Sequence, residues 1–288
     1  MPQEEAALIH VEIGGETLFT IGGFSVTNSM VGAVLASLIL LAAAAYVYRR
    51  ATIVPGRLQS ALELPIELFL GIVAGSSSRW RGYVALVIGL FLTILVANWI
   101  GLLPGVGTIG LKHEVEGHEV LVPLIRPAAA DLNFTLGLAI ITFVTFVWWG
   151  VRINGPLGYL KELVGEPRYM APLMFPIHFI SEVSRLVSLS MRLFGNVFAG
   201  EVLLATMLAL TTGAIVVLPL AFFVPGIFLG LELLFGFVQA MVFALLTMTY
   251  ITLAIAEHEG AEHGAEGGPE EAGHPSSERD AGSASAPA

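Results

Sequence analysis

Cysteine is absent from the 288 residues, and charge is scarce, with Asp, Glu, Lys and Arg making up 12% of the chain. Without cysteine there are no disulfides and no thiolate metal ligands. So little charge beside 56% hydrophobic residues excludes an ordinary soluble domain of this length. A basic n-region is missing too. The chain opens Met1-Pro2-Gln3-Glu4-Glu5 and its first apolar run starts late, so no signal peptide is expected. Internal repeats of the inverted kind found in many secondary transporters are not visible. The scarcity of charge is sharpest from Tyr169 to Ala256, where only Glu182, Arg185, Arg192, Glu201 and Glu232 carry it.

What is present is a series of apolar runs near the roughly 20 residues that a membrane-crossing helix needs. The expected fold is all-α and membrane-integral, with about five embedded helices and one interfacial amphipathic helix. Residues 1–27 form an extracytoplasmic arm interrupted by Gly14-Gly15 and Gly22-Gly23. Residues 28–256 form the membrane domain, and residues 257–288 a disordered cytoplasmic tail. The net charge of −10 belongs mostly to that tail. Its Glu257, Glu259, Glu262, Glu266, Glu270, Glu271, Glu278 and Asp280 face Arg279 alone.

Spans are expected over 28–48, 83–103 and 131–150. Arg49, Arg50 and Arg57 close the first, which puts the amino terminus outside and the carboxyl terminus in the cytoplasm. Residues 58–75 carry Glu63, Pro65 and Glu67 on a mixed face and fit an interfacial helix, with a partial or tilted span as the alternative. The loop to Arg126 lies outside, its His113 and His118 lacking the spacing of a metal site. Asp131 fits either a helix N-cap or the mouth of a polar path. Trp148-Trp149 reads as an interfacial belt, and Arg152, Lys161 and Arg168 as a cytoplasmic loop. The segments 171–210 and 219–256 each exceed about 45 Å as helices, so they must tilt strongly or bend in a core about 30 Å thick.

At 100° per residue, Ser181, Ser188, Arg192 and Asn196 share one face of the first long helix, and Glu232 and Gln239 share one face of the second. An arginine at the centre of a span costs roughly 2.5–3.5 kcal/mol on insertion scales. Glu182 stands three residues before Arg185 and is suited to pair with it. Arg192 between two separated carboxylate sites suggests two polar routes divided by a fixed positive charge.

Ser188-Leu-Ser-Met-Arg192-Leu-Phe-Gly-Asn196-Val-Phe-Ala-Gly200-Glu201 resembles the signature of subunit a of the F-type ATP synthase. Asn98-Trp-Ile-Gly-Leu-Leu-Pro104, Asp131-Leu-Asn133 and Gln239-Ala-Met-Val-Phe-Ala-Leu-Leu-Thr-Met-Thr-Tyr250 resemble three further family segments. The resemblance implies a non-catalytic stator subunit in the cell inner membrane, without a cofactor or a nucleic-acid partner. Its implied partners are a rotating c-ring, the peripheral-stalk b subunits, the rest of the ATP synthase and the lipid bilayer. It also implies that Arg192, Glu201, Glu232, Gln239 and Asn196 serve proton translocation. Asp131, Asn133, His178, Ser181, Glu182, Ser188 and Tyr250 are candidates for lining two half-channels. The sequence departs from the family pattern twice. Many members pair a Glu with a His where Glu201 and Glu232 stand here, and often have Pro where Leu186 follows Arg185. The alternative readings are a secondary transporter binding an anion at Arg192, and an intramembrane hydrolase, for which no Ser–His or paired Asp site is evident.

Overall fold

The computed structural model describes residues 14–73, 80–103, 106, 110–115, 118–164, 169, 171–213 and 218–266. The chain begins with a hairpin, β1 (Thr17–Ile21) against β2 (Phe24–Thr27). Its turn is Gly22-Gly23, with φ of 58° and 89°. Two successive left-handed positions are what a tight two-residue hairpin requires, and glycine adopts them without strain. Thr27 then caps α1 (Asn28–Arg50), its Oγ1 accepting from Met30 N at 3.3 Å. Asn28 ties the arm down. Its Nδ2 donates to Glu16 Oε2 and to the Pro123 carbonyl, and its Oδ1 accepts from Glu16 N.

Helix α2 (Arg57–Val73) turns Pro65 and Phe69 inward and leaves Leu64, Glu67 and Leu68 exposed. The Phe69 ring meets Phe91 of α3 (Val84–Gly101) edge-on at 5.3 Å. Helix α3 is apolar on all sides, with a mean hydropathy of 2.3, and is the most enclosed of the spans. That is the pattern expected of a helix surrounded by others. A second hairpin, β3 (Gly110–Val115) with β4 (His118–Pro123), fills the long loop. The chain re-enters through Ala128, Ala129 and Ala130, all fully buried. Small residues make that entry feasible. Gly32 packs against the Arg126 carbonyl and Gly101 against the Pro127 ring.

Helix α4 (Leu132–Val164) runs beyond the span anticipated at 131–150. Arg152 and Lys161 therefore lie on helix, not in a loop, while Arg168 falls outside the described residues. Nothing after Trp149 stops a helix until Gly155, where φ is 70° and the direction changes. Pro156 then suits the first position of a new helical segment. Trp148 is exposed, as a belt residue would be. The Trp149 ring is partly covered, packing on Gly82 and meeting Tyr83 edge-on at 6.2 Å.

Helices α5 (Ala171–Gly213) and α6 (Leu218–Glu266) have 43 and 49 residues, or about 65 and 74 Å. Both overrun the bilayer core and both contain a proline, Pro176 and Pro225. They run antiparallel, since Arg185 meets Tyr250, Asn196 meets Gln239 and Gly200 meets Glu232. Helix α6 also continues past Ala256 to Glu266, so the acidic segment starts as helix and not as disordered tail. Glu and Ala are good helix formers, and extending an existing helix needs no new nucleus. Residues 267–288 lie outside the described residues, as do residues 1–13 of the arm.

The main core unites α3, α4, α5 and α6 through Val87, Phe91 and Ile94, Leu138 and Phe146, Leu189, Leu193 and Val197, and Phe243 and Ile251. Leu189, Leu193 and Val197 repeat at four residues and fix the inward face of α5. Two hydroxyl pairs add polar ties. Thr135 meets Ser190 at 3.3 Å and Thr142 meets Thr247 at 3.4 Å. Among the described residues, five helices are long and apolar enough to cross a membrane.

Candidate functional site: a polar track along the two long helices

With Leu189, Leu193 and Val197 turned inward, Ser181, Ser188, Arg192 and Asn196 emerge on the exposed side of α5, as the wheel anticipates. Arg192 has no hydrogen bond or ion pair with any described residue. The positions around it on the exposed surface are small: Ser184, Ser188, Gly195 and Ala199. No neighbouring atom comes within 4 Å of a Cβ built on Gly195, so this surface is open.

The end of the track nearer the β hairpins is crowded. The Glu201 carboxylate accepts from Arg126 Nε at 2.9 and 3.0 Å and from Nη2 at 2.9 Å. Arg126 Nη1 donates to the Gly14 carbonyl at 2.6 Å, and the arginine is only 4% exposed. A two-toothed guanidinium–carboxylate geometry of this kind is among the strongest hydrogen-bonded pairings. Glu232 lies against Gly200, where an added Cβ would stand 2.7 Å from Glu232 Oε1. Glycine at 200 is thus what admits this carboxylate between the helices. Asn196 Nδ2 donates to Gln239 Oε1 at 3.5 Å, the long limit of a hydrogen bond. Glu201, Glu232, Asn196 and Gln239 are therefore neighbours.

Asp131 is 5% exposed, and its Oδ1 accepts from Asn133 N at 2.9 Å, which makes it the N-cap of α4. Its Oδ2 faces Gly15 of the arm, so it also sits near the Arg126–Glu201 pair, whose guanidinium holds the Gly14 carbonyl. Asn133 is exposed.

At the opposite end Arg185 Nη1 donates to Glu182 Oε1 at 2.9 Å, and its guanidinium lies 5.4 Å from the centre of the Tyr250 ring. Glu182, Arg185 and Tyr250 form one cluster, joined across α5 and α6. His178 is half-buried and Ser181 is exposed, a turn or less away along α5. Among the described residues there is no group of three or more His, Cys, Asp or Glu side chains able to hold a metal.

Two contributors escape a reading of the sequence. Arg126 stands 75 residues from Glu201, in a stretch of mixed charge, and no helical period links them. A signal was available in its place directly before Pro127 and just ahead of Asp131-Leu-Asn133. Asn98 appears in the sequence only as part of a span ending. It is 3% exposed and donates through Nδ2 to the Gly236 carbonyl of α6 at 3.4 Å.

Five apolar helices enclosing polar side chains between the last two define a multi-pass, all-α integral membrane protein. A model of the family described as ATP synthase A chain matches residues 29–252. The chain is 33% identical to ATP synthase subunit a of Mycobacterium marinum (strain ATCC BAA-535 / M) over 262 residues, 89% of this chain and 98% of that protein. It is 36% identical to ATP synthase subunit a of Aliarcobacter butzleri (strain RM4018) over 214 residues, 73% and 82% of the two chains. The subunit a of Mycobacterium tuberculosis (strain CDC 1551 / Oshkosh) is 33% identical over 255 residues, 86% of this chain and 95% of that protein. The chain belongs to the ATP synthase A chain family, the family of subunit a. That membership disfavours the anion-transporter reading.

Proposed function

We propose that this chain is the proton-conducting stator of an ATP synthase membrane sector, delivering protons to and from the carboxylates of a rotating c-ring. The observation that carries the reading is Arg192. It is a charged side chain in an apolar span, exposed on the outer side of α5, with no partner among the described residues. An unneutralised guanidinium is costly in a membrane. A passing carboxylate on a neighbouring ring supplies the missing partner, and the small residues around Arg192 let that ring come close.

The mechanism follows from the groups present. Arginine stays protonated, so Arg192 relays no proton. It attracts a deprotonated ring carboxylate and separates two half-channels. The outer half-channel runs by Glu201, Glu232, Asn196 and Gln239 toward the ring, with Asp131 at its rim. The inner one leaves near His178, Ser181 and Glu182. The ion pair of Glu182 with Arg185 supports a gate there, in which protonation of the carboxylate loosens the pair. The membrane potential adds about 2.3 kcal/mol per charge per 100 mV. The amino terminus faces outward and the acidic end faces the cytoplasm, by the Arg49–Arg50 rule. The exposed apolar side of α1, with Val34, Leu38 and Leu41, is suited to the peripheral-stalk b subunits.

The test is purification of the chain from its native membrane with bound partners, followed by imaging. A ring of helices opposite Arg192 supports the reading, and a face of α5 against lipid alone overturns it.

A further inference from the structure

Between α3, α5 and α6 lies a small cavity lined by Asn98, Asn196, Glu232 and Gly236, with about 20 Å³ of room for water centres. A space of that size takes a water molecule when enough polar groups face it. Two buried side-chain oxygens at this cavity, Asn98 Oδ1 and Glu232 Oε2, have no hydrogen-bond partner. Gln239 Nε2, behind Asn196, is likewise buried and unsatisfied. Such atoms are rarely left bare, because each loses its hydration without compensation.

The chemistry narrows what fills the gap. The Asn98 amide is oriented by Nδ2, which donates to the Gly236 carbonyl, so its oxygen is the free end. The neighbouring Trp99 Nε1 donates to the Leu233 carbonyl at 3.3 Å and fixes α3 against the same turn of α6. The result is an amide oxygen, which accepts and cannot donate, at the same cavity as a carboxylate oxygen. A ligand satisfying both must bring two hydrogens and little bulk, which describes water.

We infer that this cavity holds an ordered water bridging Asn98 Oδ1 and Glu232, and that Asn98 is a positioning residue for proton transfer at Glu232. The water hands a proton to the Glu232 carboxylate and takes another from the outer side, so protons balance and no other reactant is needed. Asn98 holds the water's second hydrogen and aims its lone pairs. This rests on the proposed role of Glu232 in the inlet, and extends that inlet to α3.

The test uses the complete ATP synthase in reconstituted vesicles, with proton pumping normalised to ATP hydrolysis and to the amount of assembled subunit. Asn98→Leu fills the cavity and removes the acceptor; pumping should fall roughly tenfold, the scale of one lost buried hydrogen bond. Asn98→Ser keeps an acceptor and leaves room for a second water, and should restore most of the flux. A map of the wild-type complex fine enough to show waters should place one within hydrogen-bond distance of both oxygens. A dry cavity overturns the inference, as does full pumping by assembled Asn98→Leu, or equal loss in both variants, which would mark a packing role. If Asn98→Leu fails to assemble, Asn98→Ser and the water map decide. Unchanged pumping by Glu232→Gln would instead overturn the inlet itself.

Discussion

Arg126 and Glu201, 75 residues apart, are joined by three nitrogen–oxygen contacts of 2.9 to 3.0 Å, and the same guanidinium holds the Gly14 carbonyl. One side chain thus links the amino-terminal arm, the entry to α4 and the carboxyl-terminal half of α5. Arg126→Gln should destabilise the chain by about 2 kcal/mol. The cost stays below that of a fully buried pair because the Glu201 side chain is 27% exposed. Removing both partners, Arg126→Gln with Glu201→Gln, should recover part of the loss, since it strands no buried charge. Thermal inactivation of the complex in detergent, compared across the three variants, measures this. Equal stability of wild type and Arg126→Gln would contradict a structural role for the pair.

Arg192→Ala should abolish ATP synthesis driven by a proton gradient while raising passive proton leak, because the barrier between the half-channels is removed. Inside-out vesicles with an imposed gradient report both quantities. Retained synthesis in that variant refutes the stator mechanism.

Two glycines on α5 offer a contrast. A side chain at Gly200 meets Glu232 Oε1 at 2.7 Å, whereas one at Gly195 meets no atom within 4 Å. Gly200→Val should displace Glu232 and reduce proton flux severalfold. Gly195→Leu should leave the chain's own fold intact and still impair turnover by obstructing the ring. The readouts are membrane levels of the subunit and ATP-driven pumping. Normal pumping by Gly195→Leu would argue that no ring approaches there.

Glu232→Gln should slow proton entry without lowering the amount of assembled complex, because the amide keeps the shape of the carboxyl and loses its exchangeable proton. The measurement is pumping rate against membrane content of the subunit.

Much of the architecture was legible in the residues. Apolar runs bounded by Arg49-Arg50 and by Leu103-Pro104-Gly105 mark spans whatever the tertiary packing, because the bilayer fixes their length. The period of 3.6 set Ser188, Arg192 and Asn196 on one side of α5 and Leu189, Leu193 and Val197 on the other. The spacing of Glu182 and Arg185 was enough to foresee their pairing. What escaped was contact between distant segments. Arg126 reaches Glu201 only after the chain has run out along α4 and back along α5, and Asn98 meets Gly236 across 138 positions. The length of α4 escaped for another reason. Cations at 152 and 161 suggest an interface, yet arginine and lysine are also good helix residues, and only Gly155 ends the first segment.

That break at Gly155 has a consequence for how the protein sits in lipid. The Tyr159 ring touches Gly150, with carbons 2.9 Å from where a Cβ would be. In a straight helix those residues would be about 13.5 Å apart along the axis. The chain therefore folds back, leaving an upright part from Leu132 to about Asn154, roughly 35 Å long, and a short foot bearing Lys161. An overlong rod would tip until its apolar length matched the bilayer, carrying Thr142 and its partner Thr247 with it. The break at Gly155 shortens that rod, so α4 has less length to fit by tipping, and the Thr142–Thr247 tie to the middle of α6 is not dragged with it.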